Sequence, residues 1–141
     1  MKSPFLFVLA AASVGILFSD SGWAERVLPQ LTVDDVAQLK QSSPARATAK
    51  PARPRRLLIY NFTRGTYHDE AIAWATRALE SMAEKTDAFT ATTSLDASVF
   101  TPGRLSEFDA VVMNNTMLNV FGPPEVEEAR MRALVDFVRG G

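Results

Sequence analysis

The chain has 141 residues, with 15 Lys and Arg against 16 Asp and Glu, one histidine and no cysteine. A formal charge of -1 gives no general attraction to nucleic acid. The missing cysteines exclude thiolate nucleophiles, cysteine-ligated metals and disulfide staples, and the length sets a limit of one compact domain.

Lys2 precedes the low-polarity stretch FLFVLAAASVGILF, residues 5–18, and SGWAER follows it, with Gly22 and Ala24 as the small residues a signal peptidase needs before Glu25. The apolar run is shorter than the about 20 residues that cross a bilayer. The pattern predicts a signal peptide over residues 1–24 and a secreted or periplasmic protein with no stable membrane span after cleavage. Residues 25–54 then form a mature N-terminal segment. It holds a short helix around LTVDDVAQLK and a Pro/Ala-rich basic linker, QSSPARATAKPARPRR. Such a composition buries little surface, so residues 41–54 read as a flexible tether. Its basic residues could touch an acidic membrane or wall polymer, but without interleaved aromatics a solvated linker is the simpler reading.

From residue 55 the pattern changes. Leu57, Leu58, Ile59 and Tyr60 form an apolar run without alternation, which predicts a strand covered on both faces and hence a parallel sheet. Asn61 to Tyr67 is a turn containing Gly65. Ile72, Ala75, Leu79, Met82 and Ala83 then recur along one helical face, with Thr66 as the predicted N-cap and Asp69 and Glu70 suited to the positive end of the helix dipole. AFTATT is a second strand, with Phe89, Ala91 and Thr93 alternating. TPGRLSEF is a short helix capped by Thr101 and started by Pro102, whose Leu105 and Phe108 close over the sheet edge.

AVVMNN is the third strand, with Asn114, Asn115 and Thr116 at its carboxyl end. After LNVFGPP, a final helix starts at Pro124, carries a stripe of Met131, Leu134, Val135 and Val138, and has Gly140 as its C-cap. Strand, helix, strand, short helix, strand, helix makes an α/β fold, most simply a flavodoxin-like doubly wound parallel sheet. Because parallel sheets need both faces covered and the terminal GG suits a turn into another strand, the sheet reads as truncated at Gly141. The competing reading is a three-stranded domain completed by self-association.

Ligands of open parallel sheets bind beyond the carboxyl ends of the strands. Asn61 to Asp69 and Asn114 to Thr116 both follow strands and are predicted to meet on that rim. His68 could act there as acid or base or as a ligand to a divalent metal, although no ligand cluster accompanies it; the plainer role is local capping or packing. Asp69 is foremost a helix-start acid, and Arg64 a surface residue. Asn114, Asn115 and Thr116 offer amide and hydroxyl groups that suit a polyol, or equally only fasten the loop. Trp74 falls beside core positions, where packing explains it better than sugar stacking. No Ser/His/Asp triad, paired-carboxylate site or Gly-rich phosphate loop can be assigned.

With both clusters placed, the stretch from Arg56 to Gly141 resembles the start of the trehalose-utilisation ThuA-like family, a branch of the class I glutamine amidotransferase-like fold. The residues that carry the resemblance are LLIYN, the TYHDE junction, TPGRLSEFDAVVMNNT and the helix ending ALVDFVRGG. His68 matches the family histidine, Tyr67 stands where arginine is usual, and Asn114 to Thr116 match the polar strand end. The resemblance implies that residues 55–141 are the N-terminal part of a ThuA-like domain. It further implies a role in carbohydrate metabolism on a sugar-derived or glycoside-derived small molecule, with His68 catalytic and Tyr67, Asn114, Asn115 and Thr116 binding substrate. The reaction stays unassigned, and a noncatalytic carbohydrate-binding or interaction module, or an inactive fragment, is the alternative.

Overall fold

The computed structural model describes residues 28–62 and 68–140. In chain order the elements are α1 (Val33–Ser42), β1 (Arg56–Tyr60), α2 (Asp69–Thr86), β2 (Thr90–Ser94), a 3-10 turn at Ala97–Val99, α3 (Pro102–Leu105), β3 (Ala110–Met113) and α4 (Pro124–Gly140). The signal peptide expected over residues 1–24 lies outside the described residues, as do Arg64, Thr66 and Tyr67. Among the described residues, no helix is long and apolar enough to cross a membrane.

The strands form one parallel sheet in the order β2-β1-β3. β1 is central: Leu58 lies opposite Thr92 on one side and Val111 on the other. Leu58, Ile59 and Tyr60 are wholly buried, the outcome the unbroken apolar run predicts for a strand with helices on both faces. Leu58 and Tyr60 pack with Val99, Phe100, Leu105 and Ala133, and with the half-buried Phe108, Leu134 and Phe137. Ile59, one residue out of phase, turns to the opposite face, where α2 supplies buried Ile72 and Ala73. The result is a small α/β domain, a three-stranded parallel sheet flanked by helices in a generic flavodoxin-like topology.

Several local expectations shift. The cap position of α2 falls at His68 instead of Thr66, two residues later than the sequence pattern places it, and the His68 side chain makes no capping bond. β2 begins at Thr90, after Phe89, and is a polar edge strand with Thr90, Thr92 and Thr93 exposed. On α4 only Leu134 of the expected stripe packs on the core. The seam runs through Ala133, Leu134 and Phe137, leaving Met131, Val135 and Val138 exposed, because α3 and the 3-10 turn present a narrow apolar ridge. Gly140 is the last helical residue of α4 instead of its C-cap.

The segment read as a free tether is held at both ends. α1, closed at its start by a capping box between Thr32 and Asp35, rests on α2. Lys40 pairs with Glu84 at 3.0 Å, and the Lys85 ammonium donates to the carbonyls of Lys40 and Ser43. At the other end Arg53, Arg55 and Arg56 gather on Asp109, whose side chain is 7% exposed. The Arg56 N–H donates to the Asp109 carboxylate at 2.8 Å; that bond and the arginine charges hold its pKa below the usual carboxylate value.

Candidate functional site at the carboxyl rim

The chain leaves β1 to one side to form β2 and returns across it to form β3, so the carboxyl ends of β1 and β3 flank the switch in strand order where open α/β sheets bind ligands. Asn61 follows the last residue of β1, and Asn114 follows the last residue of β3. Both are buried, at 0% and 6% exposed. A buried amide must find partners inside the protein, and here they come from α2. Asn61 Nδ2 donates to Thr76 Oγ1 at 2.9 Å, and Thr76 Oγ1 donates to the Ile72 carbonyl at 2.7 Å. Asn114 Nδ2 faces Asn61 Oδ1, the Ile72 carbonyl and Thr76 Oγ1 at 2.9, 3.1 and 3.1 Å. Two strand ends and the first turns of α2 are thereby joined by one polar cluster.

His68 sits one turn away. Its carbonyl accepts the Ile72 N–H at 2.8 Å, which ties its backbone to the same turn of helix, and the residue is exposed. Asp69 opens the helix beside it. Asn115 is exposed, and its Nδ2 donates to Asn114 Oδ1 at 3.3 Å; Thr116 is half-buried. Of the residues expected to contact substrate, Asn115 and Thr116 thus stand on the rim. Asn114 lies beneath them with its amide nitrogen committed inward, and Tyr67 is outside the described residues.

The loop after β3 is fixed at its base and projects at its tip. The Tyr60 hydroxyl donates to the Val120 carbonyl, and its ring meets Phe100 edge-on at 4.7 Å. Phe100 in turn meets Phe121 at 5.1 Å. Arg130 Nη1 donates to the Phe121 carbonyl at 2.7 Å. Gly122 has φ 109°, a conformation that strains any residue with a Cβ, so glycine is favoured there. Between these anchors and β3, Asn115, Leu118 and Asn119 adopt positive φ of 51°, 53° and 45°. Asparagine tolerates that region; leucine does so at a cost in strain, and strained backbone concentrates at ligand-contacting sites. Leu118 is also 67% exposed.

Burial pushes the Tyr60 hydroxyl pKa well above its ordinary value, and the Asp96 carboxylate adds to the effect. The phenol therefore acts as a fixed hydrogen-bond donor to the loop. Among the described residues, no group of three or more histidine, aspartate and glutamate side chains is placed to hold a metal ion.

Thr76 is the part of this site that motif reading passes over, and Asn61 enters that reading only as the first residue of the polar rim segment. Their signal was present: a polar residue closing an apolar strand, and a threonine four residues after Ile72 on the buried side of α2. Comparison with protein-family models, curated proteins and solved structures gives no match to this chain.

Proposed function

We propose that this protein is a secreted or periplasmic ThuA-like domain whose carboxyl rim binds, and in its active form acts on, a sugar-derived small molecule. The observation that carries the reading is the joining of both strand ends to the helix turn behind His68 through Asn61, Thr76 and Asn114. That cluster gives two exposed side chains of suitable chemistry a common rigid support. Asn115 offers an amide donor and acceptor to hydroxyl groups, and His68 offers an imidazole that can donate or accept a proton. Asn114 serves as the support beneath Asn115. The sequence resemblance of residues 55–141 to the start of the ThuA-like domain, within the class I glutamine amidotransferase-like fold, supplies the carbohydrate class. Tyr67 and Thr116 complete the contacts that resemblance implies.

The test is titration with trehalose and a panel of glycosides, followed by NMR shifts and by chromatography for products. Asn115→Ala is expected to weaken binding about tenfold, the worth of one well-made hydrogen bond left without its partner. His68→Ala is expected to abolish turnover. Unchanged affinity and turnover in both variants would remove the rim from consideration. Binding without product, retained in His68→Ala, would instead identify a noncatalytic carbohydrate-binding module.

A further inference from the structure

We propose that the end of the sheet opposite the rim is a docking face for an anionic lipid surface. From Val36 to His68 the sequence contains Lys40, Arg46, Lys50, Arg53, Arg55, Arg56 and Arg64 and no Asp or Glu. The structure gathers the middle of this run at the amino ends of the strands. Lys50 and Arg53 line a cleft against Thr86, Asp87 and Ala88 at the end of α2. Arg53, Arg55 and Arg56 converge on Asp109, just before β3, with side chains 58%, 43% and 50% exposed. One nearly buried carboxylate thus orients three exposed guanidinium groups. Arg46 and Lys50 are exposed and, among the described residues, lie in no ion pair. Asp87 lines the cleft and Asp109 lies among the arginines, two acids against the four cations Lys50, Arg53, Arg55 and Arg56.

The residues between the charges decide the kind of partner. Residues 43–56 interleave the cations with Ala45, Ala47, Ala49, Ala52, Pro44, Pro51 and Pro54, and contain no aromatic, Asn or Gln side chain. The stretch lacks the aromatic platforms on which nucleic-acid and sugar binders stack successive rings, and it presents guanidinium and ammonium charge among small residues. That chemistry fits phosphate headgroups in a plane, which attract clustered Lys and Arg at about 1 kcal/mol each. The low-polarity run of residues 5–18, read as a secretion signal, would bring the chain to a membrane during export. Docked this way, the protein would hold His68 and Asn115 on the side facing away from the lipid.

The test is sedimentation of the full chain with phosphatidylcholine vesicles, with and without phosphatidylglycerol, at low and high salt. Binding is expected only with the anionic lipid and is expected to fall as salt rises. The double substitution Arg46→Gln and Lys50→Gln touches no bond of the fold and should weaken binding about 30-fold, from two charges at about 1 kcal/mol each. Arg132→Gln, on the exposed side of α4, should leave it unchanged. Equal binding to neutral vesicles, or no loss in the double variant, would overturn the proposal. Tighter binding to heparin or duplex DNA than to anionic vesicles would overturn it in favour of a polyanionic polymer.

Discussion

The two faces of β1 are built from different materials. Toward α3 and α4, Leu58 and Tyr60 meet Phe100, Leu105 and Ala133 in a dry, aromatic cluster. Toward α2, the strand ends in Asn61, hydrogen-bonded to Thr76 and Asn114. Apolar burial is non-directional and sets how stable the domain is. Buried hydrogen bonds are directional, contribute less net free energy, and set where the rim elements stand. A small domain with three strands needs the first face to persist and the second to be specific.

Substitutions on each face should separate these roles. The largest loss is expected for Phe100→Ala, about 3 to 5 kcal/mol of unfolding free energy read from the urea midpoint, because it empties the centre of the aromatic cluster. Asn114→Ala should cost about 1 to 3 kcal/mol by leaving Asn61 Oδ1 without its donor. Its signature is local: amide exchange near Ile72 and Asn115 should quicken more than exchange on α4. A double-mutant cycle with Asn61→Ala should show strong coupling, and simple additivity would mean the cluster does not act as a unit.

Tyr60→Phe should cost about 1 kcal/mol at neutral pH through the lost bond to the Val120 carbonyl. The raised pKa adds a pH dependence. The folded state keeps a proton that the unfolded chain releases near pH 10, about the ordinary tyrosine value, so this stabilisation is complete below that pH and lost as pH rises through the folded value. Wild type should therefore lose its advantage over Tyr60→Phe in alkaline urea titrations; a constant gap would contradict the burial argument. The smallest effect belongs to the loop tip. Leu118→Gly removes the penalty of a leucine at φ 53° but adds unfolded-chain entropy, for a net change of less than about 1 kcal/mol in differential scanning calorimetry.

Much of the framework was legible in residue order because local signals and tertiary demands agree there. LLIY without alternation announced a doubly covered strand, Thr101 and Pro102 announced the start of α3, and the spacing of elements announced parallel crossovers. The misreadings share a cause, which is that the neighbour decides and the pattern does not name it. Val99 ends a 3-10 turn and Phe100 caps it, with neither helical nor strand period, yet they anchor the core. Met131, Val135 and Val138 have the right period for an apolar stripe, but the ridge they would cover extends only to Ala133, Leu134 and Phe137. For the site, residue type pointed to Asn114 and Asn115 alike. Only the backbone, extended at the strand end and left-handed one residue later, sends one amide into the protein and the other out.

The anchoring of the loop after β3 also divides it for the protein engineer. Leu118 and Asn119 lie beyond Met117, which forms a β-bridge, and before the bonds from Tyr60 and Arg130, so extra residues placed between those two lengthen a projecting tip. Val120 to Gly122 form its foot, held by the bonds from Tyr60 and Arg130 and by the positive φ of Gly122. A grafted peptide or reporter sequence belongs in the first stretch, and the second stretch fixes where that graft would point.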